Sequence, residues 1–412
     1  MLRNTLRRNK GITLIALVVT IIVILILAGI SIAMLTGQNG ILNRAAEAKE
    51  KTGVAQEDES RKLQGYEDTI NQYAPSSNGG STGGGSEGGN PTGGSLPTGT
   101  GTIPYLPNST FSKKEGDLST GLVIKDSNDN EYVWVEVPTT IYDNTTYNNN
   151  GANKPKNADE WEKIRDCLKA YTVDYSDSSY KDTNTDGTTY SDDYKNMLKS
   201  VYTNGGFWIG RYEAGLEEGK SPRTSYVAIA ESDKAVTKPN MYPYNNVTRD
   251  EAQTLAERMN YDGVTSSLIY GVQWDLVLKF IETKGATAKA NLTSNSTTIG
   301  NYYNNLWNIT NANAKYSTDY GENYTTCPYQ KEANADVLLT TGADTSFSLM
   351  NIYDVAGNVW EWTKEFYDTI IPCVYRGGTH IGDGSSFPAK SRNGGDVSTS
   401  YPSVGFRLGL WK

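Results

Sequence analysis

Two carboxylates near the end of the sequence have a spacing that suits a cation site. Asp354 and Glu361 lie seven residues apart in the segment YDVAGNVWEWT, and Gly357 between them allows a sharp bend. Calcium binds six to eight oxygens, which include carboxylates and backbone carbonyls. In the alternative interpretation, Glu361 pairs with an arginine such as Arg376 or Arg407, and Asp354 only caps a turn. The residues alone leave both interpretations open.

Cysteine and histidine are the next candidates for chemistry. The three cysteines are Cys167, Cys327 and Cys373, and a buried cysteine behaves as a small hydrophobic residue. A disulfide between Cys327 and Cys373 would leave one cysteine over, so the sequence does not predict that pairing. The single histidine, His380, lies in the polar segment THIGDGSSFPAKSR.

That polar segment, residues 379–392, holds no cysteine. Its serines lack the strand–turn–helix context of a serine nucleophile, and the chain has no phosphate-binding or dinucleotide-binding glycine pattern. Without a nucleophile the imidazole has no partner to activate. We therefore interpret His380 as a surface-loop residue that is available to a ligand, and we predict no catalytic residue.

Alternating residues predict the strands that position these groups. Trp360 and Trp362 flank Glu361 with the period of a half-buried strand, so the indoles face one side and the carboxylate the other. The blocks YRGG and GFR are expected to end and begin strands that pack together, with Arg376 and Arg407 in structural roles. Further strands are predicted at 131–137 and 206–212, and helices at 161–167, 249–259 and 273–282.

The blocks GNVWEW, YRGG and GFR together resemble a known family. They are similar to motifs of the formylglycine-generating enzymes, or sulfatase-modifying factors, and GFWIGRYEAG and YGVQWDLVLKFIE add to the resemblance. The resemblance covers most of residues 120–412. It implies an α+β head with a C-type-lectin-like fold, and a structural calcium ion. Carried over, its ligands are the side chains of Asp354 and Glu361 and the carbonyls of Gly357 and Val359.

The enzymes of this family use two cysteines in the short segment after RGG. The corresponding segment here has none, so there is no thiolate nucleophile and no ligand pair for copper. We therefore predict a protein that is not an enzyme and binds no copper. An oxidase of the formylglycine-generating type is the less favoured alternative.

With catalysis set aside, the polar, turn-rich segment 379–403 is expected to form an exposed ligand-binding surface. Its placement resembles the hypervariable segment in target proteins of diversity-generating retroelements, which use the same fold. The candidate ligand-binding residues are Thr379, His380, Asp383, Ser385, Ser386, Phe387, Lys390, Asn393, Asp396, Ser398, Ser400 and Tyr401.

The beginning of the chain predicts a membrane anchor. A basic leader precedes the uncharged apolar run 12–35, which as a helix would extend about 36 Å and span a bilayer, with the basic flank in the cytoplasm. The arrangement resembles a type IV prepilin signal that is cut between Gly11 and Ile12. Such signals favour Phe first and Glu fifth in the mature chain, whereas this chain has Ile12 and Ala16. A pilin-like subunit and a simple signal anchor both remain open.

Composition divides the rest of the chain. Gly, Ser, Thr, Asn and Pro dominate 75–104, which predicts a flexible tether with an end-to-end distance of about 30 Å. The insertions 143–194 and 291–340 are predicted to be long surface loops. The predicted segments are a basic leader at 1–11, a transmembrane helix at 12–35, an amphipathic stalk helix at 36–74, a linker at 75–104 and a head domain at 105–412.

Net charge and tyrosine content indicate which classes of molecule the protein can bind. The net charge of −9 disfavours nucleic acids and anionic membrane surfaces, and 28 Tyr against 7 Phe suits binding loops. Together these features predict a cell-surface or pilus-like display protein whose head is extracellular and binds an extracellular protein or glycan, while its N-terminal helix lies in the membrane. A minor pilin whose head serves only assembly, through pilus-like self-association, is a further alternative.

Overall fold

The structure is a computed structural model that describes residues 104–259 and 261–412. The predicted leader, transmembrane helix and stalk lie outside these residues, as do the predicted cleavage site at Gly11 and Ile12 and nearly all of the linker. Among the helices of the described part, none is long and apolar enough to cross a membrane.

Helices and strands are mixed along the described chain. The strands are β1 (Ser112–Glu115), β2 (Val123–Lys125), β3 (Glu131–Glu136), β4 (Gly206–Gly210), β5 (Gly215–Leu216), β6 (Ala235–Val236), β7 (Thr265–Leu268), β8 (Trp307–Ile309), β9 (Lys315–Ser317), β10 (Thr325–Thr326), β11 (Tyr329–Lys331), β12 (Leu338–Leu339), β13 (Ser348–Leu349), β14 (Ile352–Tyr353), β15 (Trp360–Thr363), β16 (Cys373–Arg376), β17 (Arg392–Gly395), β18 (Val404–Phe406) and β19 (Leu408–Trp411). The helices are α1 (Trp161–Tyr171), α2 (Asp192–Asn204), α3 (Arg249–Glu257), α4 (Gly271–Thr283) and α5 (Lys289–Thr293), with 3₁₀ turns at Thr139–Tyr142 and Thr345–Phe347. The fold is therefore mixed α/β, and the strands and helices predicted from periodicity are confirmed.

Two sheets organise these elements. The larger has the order β1–β2–β3–β4–β19–β7 and is antiparallel. The smaller has the order β17–β16–β15–β18, in which β15 and β18 run parallel and the other pairs are antiparallel. The blocks GNVWEW, YRGG and GFR thus lie side by side, with β15 between the other two. Since β19 follows β18 almost directly, the chain passes from one sheet into the other.

The strand that carries Trp360 and Trp362 is more deeply buried than its alternation predicts. Trp360 is 5% exposed, and Glu361 and Trp362 are fully buried. The expectation of a half-buried strand is therefore wrong. Both faces of β15 are covered, because Trp360 and Trp362 pack on Tyr375 while Glu361 pairs with an arginine on the other side.

Local signals in the sequence fix the helix ends. Helix α2 begins after Ser191, whose hydroxyl accepts a hydrogen bond from the Tyr194 amide, and ends at Gly205 with a φ of 69°. Helix α3 begins with a capping box formed by Thr248 and Glu251. Helix α4 is capped from a distance, because the Asp182 carboxylate accepts hydrogen bonds from its first two amides.

The two insertions are more structured than predicted. Residues 143–194 contain helix α1, which packs on α2, and residues 291–340 contain α5 and strands β8 to β12. The second insertion surrounds a small core of its own, built from Trp307, Ile309, Val337 and Leu339. In the first segment helix α1 was predicted at 161–167, whereas the prediction of a long surface loop is wrong for much of the second, because polar composition hid the few apolar residues that form its core.

Candidate functional site

The outer edge of the smaller sheet is strand β17, which lies in the segment predicted to bind a ligand. It pairs with β16 from Cys373 opposite Gly395 to Arg376 opposite Arg392. Among the described strands none pairs with its other side. A strand in this position leaves backbone donors and acceptors open to a partner.

Apolar side chains are exposed around this strand. Ile370 is 79% exposed, Val397 55% and Tyr401 52%, and Ile371 and Tyr367 are also exposed. We call these five residues, which precede β16 or follow β17 along the chain, the edge face. An exposed apolar patch of this kind is typical of a contact surface.

Contacts around β17 bring the edge face together. The Ile371 side chain lies directly over Gly394, since a Cβ placed there would be 2.6 Å from the Ile371 methyl. The Tyr375 hydroxyl donates to the Gly394 carbonyl at 3.2 Å, and Tyr401 lies near that hydroxyl. Ile371 and Tyr401, which are thirty residues apart in the sequence, therefore both lie near Gly394 of β17.

A network of buried charges supports the edge face from below. The Arg376 guanidinium donates to Glu365 at 3.1 Å and to Asp275 at 2.7 Å. Arg392, the first residue of β17, donates to the same two carboxylates at 2.8 and 3.1 Å. Because these charges are paired and buried, they fix the strand to helix α4.

One side chain of this network also organises aromatic groups at the rim. Arg392 lies over the Tyr180 ring at 5.3 Å, and Tyr180 stacks on Tyr367 with ring centroids 4.9 Å apart. The edge face is thus continuous with a small niche beside Asp182. Burial, and then repulsion from Glu365, raise the pKa of Asp182 to about 7.

The structure buries two of the predicted ligand-binding residues and leaves the other ten partly or fully exposed. Segment 379–390 packs on the second insertion, where Gly384 accepts a hydrogen bond from the Ser296 amide and Gly382 from the Tyr303 amide. The predicted residues on or beside this packed segment are Asp383, Ser385, Ser386, Phe387 and Lys390. Those beside the edge face are Asn393, Asp396, Ser398, Ser400 and Tyr401.

Thr379 and His380 are buried, at 2% and 1% exposure. The prediction of His380 in a surface loop is therefore wrong. Its Nδ1 lies 2.6 Å from the Asn358 carbonyl, which requires Nδ1 to donate, and burial lowers the pKa of His380 to about 4. The neutral imidazole is a buried part of the fold, because the second insertion covers this segment.

At the predicted calcium loop the ion-pair alternative for Glu361 is confirmed. The Arg407 guanidinium donates to both oxygens of Glu361, at 2.6 and 2.9 Å, and both side chains are fully buried. Asp354 accepts a hydrogen bond from the Gly342 amide at 2.7 Å. The bend at Gly357 is also confirmed, since its φ is 76° and a Cβ there would lie 2.2 Å from the Asn301 carbonyl oxygen.

The same loop holds three buried carboxyl groups that lie close together. Glu213 accepts hydrogen bonds from Asn358 and from the Val359 amide, and it lies close to Asp354 and Glu361. Three buried carboxylates share the single guanidinium of Arg407. Burial raises the pKa of Asp354 to about 7 and that of Glu213 well above its usual range.

A cation bound near these carboxyl groups would favour their ionised forms. In the described residues no three acidic, histidine or cysteine side chains converge as a metal site. The predicted set of Asp354, Gly357, Val359 and Glu361, with its two side chains and two carbonyls, stays a prediction.

The three cysteines are free and buried. Burial raises the pKa of Cys167 to about 11, and it also raises the pKa of Cys327 and Cys373. A thiol in this state is a poor nucleophile.

The sequence blocks GNVWEW, YRGG and GFR lie in a region that matches a known protein family. The model of the sulfatase-modifying factor enzyme 1-like domain matches residues 189–410. The chain belongs to this family. The sulfatase-modifying factor match begins just before α2 and includes both β17 and the loop of Asp354, whereas strands β1 to β3 and helix α1 precede it.

Solved structures give weaker likenesses. Variable protein 1 of Treponema denticola is 14% identical, with a TM-score of 0.29, over 50% of this chain and 85% of that one. The crystal structure of CarF is 12% identical, with a TM-score of 0.32, over 50% of this chain and 86% of that one. No curated protein matches the sequence.

Sequence reasoning missed part of the edge face. Ile370 and Ile371 lie in the run FYDTIIP between the blocks WEWT and YRGG, outside the segment predicted to bind a ligand. A signal was present, since two adjacent isoleucines just before Pro372 interrupt a polar turn that has Asp368 at its start. Adjacent isoleucines before a strand are more often part of the core, so this signal was not distinctive.

Proposed function

We propose that this chain is a binding protein and that its ligand is a protein surface that docks on the edge face. The observation that carries the proposal is the group of exposed aliphatic and aromatic side chains around an open strand edge. Exposed aliphatic clusters are typical of protein contacts, and tyrosine is enriched among the residues that contribute most to binding. An extracellular glycan is the alternative ligand at this face.

The charge network beneath the edge face keeps β17 ordered, which favours the binding of a partner. Arg376 and Arg392 hold β17 against α4 through two shared carboxylates. A surface that is already ordered loses little conformational entropy when a partner docks, so more of the contact energy is available for affinity.

Two features argue against an oxidase. The segment after RGG holds no cysteine, and the three thiols of the chain are buried with raised pKa values. An oxidase of the formylglycine-generating type remains the alternative within the family. Turnover of a cysteine-containing sulfatase peptide that depends on added copper or thiol, by the purified full chain, would replace the binding proposal.

The fold and the cellular location of the head are also proposed. We propose that the head has a C-type-lectin-like fold and is displayed outside the cell on the predicted anchor and linker, with prepilin-like processing at Gly11. The exposed part of the segment between YRGG and GFR suits sequence diversification, as in targets of diversity-generating retroelements. Mass spectrometry that finds an intact Met1 would contradict prepilin-like processing, while a mature start at Ile12 would support it.

Ligand identification and one charged substitution test the edge face. The full chain is screened on protein and glycan arrays, and each hit is measured again with Ile370→Asp. A carboxylate placed in an apolar contact is expected to weaken binding about thirtyfold or more, as at a contact hot spot. Leu306→Asp is the matched control, because Leu306 is 72% exposed and lies outside the edge face.

The outcomes differ clearly. A ligand whose affinity falls only with Ile370→Asp supports the edge face. A ligand equally sensitive to both variants, or to neither, would place binding elsewhere, and hits confined to glycans would favour the alternative ligand class.

Structural calcium is a separate part of the proposal. Calcium at Asp354 and Glu361 would raise the melting temperature, and EGTA would lower it, because a bound ion stabilises the folded state by mass action. Asp354→Asn is expected to remove this response. A melting curve that calcium and EGTA leave unchanged would show that Arg407 alone balances the loop.

A further inference from the structure

A second candidate site lies outside the edge face, in a cleft of about 900 Å³. Its walls are the 3₁₀ turn Thr139–Tyr142, the first part of the insertion that follows, the start of helix α1 and the end of helix α2. Ligand sites are commonly concave and of about this volume. We call it the lysine cleft, after Lys154, Lys156 and Lys163, which line it.

The charge of the lysine cleft is opposite to that of the chain. Its lining contains three lysines and one carboxylate, Asp143, and Glu160 beside the lining pairs with Lys163 at 2.9 Å, while the whole chain has a net charge of −9. Lys154 pairs with Asp143 at 2.7 Å, but the two side chains are 55% and 70% exposed, so the pair is weak and a ligand can compete for the ammonium group. Lys156 is exposed, and no described carboxylate forms an ion pair with it.

Hydrogen bonds hold the insertion that carries these lysines. Asn148 is 2% exposed, and its side-chain nitrogen Nδ2 donates to the Tyr142 carbonyl at 3.0 Å while its side-chain oxygen Oδ1 accepts from the Gly151 amide at 2.7 Å. The Cys167 thiol on α1 donates to the Asn153 carbonyl, next to Lys154. The lysines therefore project from a fixed loop, which reduces the entropy lost on binding.

The remaining walls are aromatic and hydroxylic. Tyr142 and Tyr202 meet edge to face with ring centroids 4.8 Å apart, and Tyr202 is only partly buried. Thr139, Thr140 and Thr203 add hydroxyl groups to the lining. Ammonium groups attract carboxylates or sulfates, hydroxyls exchange hydrogen bonds with sugar hydroxyls, and an aromatic face suits the apolar face of a sugar ring.

We propose that the lysine cleft binds an acidic saccharide. The ligand class is a sugar chain that carries carboxylate or sulfate groups. These anionic groups would contact Lys154, Lys156 and Lys163, and a sugar ring would pack beside Tyr202. A nucleic acid is less favoured, because the lysines occupy one cleft of an acidic chain and form no stripe along which a phosphate backbone would run.

The lysine cleft is separate from the family's shared structure. Lys154, Lys156 and Lys163 precede the family match at 189–410, and of the residues named here only Tyr202 and Thr203 lie within it. The cleft also shares no residue with the edge face, so the two proposals can succeed or fail independently.

Binding is tested with the full chain and defined sugars. Isothermal titration at low salt compares a sulfated heparin oligosaccharide, an oligogalacturonate and a neutral dextran oligosaccharide. Lys156→Glu is expected to weaken binding of the acidic sugars about tenfold, which corresponds to about 1.4 kcal/mol. Lys234→Glu is the matched control, because Lys234 is also exposed and lies far along the chain from the cleft.

The arms of the experiment distinguish the possible anions. Binding of heparin alone assigns sulfate, and binding of oligogalacturonate alone assigns carboxylate. The proposal is overturned if neither acidic sugar binds at millimolar concentration, if dextran binds as well as they do, or if both lysine variants lose affinity equally. Equal binding of a single-stranded DNA oligomer, with the same loss in Lys156→Glu, would show a general anion site instead of a saccharide site.

Discussion

The edge face and the lysine cleft place their charges in opposite ways. At the edge face the ionised groups are buried beneath the surface, with Arg376 fully buried, and the outer side chains are apolar. In the lysine cleft the charges are exposed and line the surface itself. Buried charges fix a structure, while exposed charges attract a ligand. The difference shows how one head can offer two surfaces with distinct selectivity.

The largest effect on stability is expected when a buried charge beneath the edge face is removed. Arg376→Met leaves Asp275 and Glu365 with Arg392 as their remaining guanidinium, and we expect the free energy of unfolding to fall by about 3–5 kcal/mol. Lys154→Met in the lysine cleft is the control and should cost less than about 1 kcal/mol. Urea unfolding measures both. Equal costs would show that burial does not separate the two regions.

The next test uses pH and Asp182. Its folded pKa of about 7 lies above the ordinary aspartate value of 3.8, so the folded state binds the proton more tightly. The resulting stability is complete at acidic pH below the unfolded pKa and is lost as pH rises through 7. From pH 5 to pH 8 this group alone should lower the free energy of unfolding by roughly 2–3 kcal/mol.

Asp182→Asn should make that pH dependence shallower, because the asparagine side chain does not titrate, while Asp354, whose pKa is also raised to about 7, keeps its own contribution. Urea unfolding of both proteins at several pH values between 5 and 8 gives the two slopes. The control is Asp143→Asn, which changes an exposed aspartate of the lysine cleft and should keep the wild-type slope. If Asp182→Asn also keeps that slope, then the buried network compensates Asp182 fully.

Ligand affinities at the edge face and at the lysine cleft should depend differently on salt concentration. Raising NaCl from about 50 to about 500 mM should weaken acidic saccharide binding by about tenfold, because exposed charges are screened. A ligand of the edge face should bind within about twofold of its low-salt affinity, since apolar contacts persist in salt. Titrations at both salt concentrations measure this. If the affinity of an edge-face ligand fell strongly with salt, then the edge face would not bind mainly through apolar contacts.

The smallest effect is expected from the carboxylate that competes for Lys154. Asp143→Asn frees this ammonium and should strengthen acidic saccharide binding about two- to threefold, as expected for one exposed charge pair. Asp129→Asn is the matched control, because Asp129 forms a similar exposed pair with Lys125 outside the cleft. Weaker binding in Asp143→Asn would mean that Asp143 orients Lys154 instead of competing for it.

Local periodicity predicted β15 of the smaller sheet, and the blocks YRGG and GFR indicated β16 and β18, but no pattern predicted β17. The alternation around Trp360, and the glycines and arginines of YRGG and GFR, indicated strands that pack together, and β15 indeed lies between β16 and β18. The pairing of Glu361 with Arg407 was one of two open alternatives, because spacing along the chain does not show which arginine reaches a buried carboxylate.

The burial of His380 and the existence of the lysine cleft depend on contacts between distant segments. His380 is covered because the second insertion packs on its segment, and polar composition gave no sign of that packing. The lysine cleft joins Lys154 and Tyr202 across two helices. No local pattern marks such a meeting, since each lysine alone is an ordinary exposed residue.

The position of β19 has a consequence for how the head folds. Leu410 of β19 pairs with Trp208 of β4, and on its other side β19 pairs with β7. Strand pairs this distant in sequence form slowly, because a long loop must close before the contact is gained. Until β19 is in place, β4 and β7 each have an open edge that can pair with another chain, and the β4 sequence GFWIG is apolar. A head in which β19 has not yet paired is therefore expected to be more prone to aggregation than the finished fold.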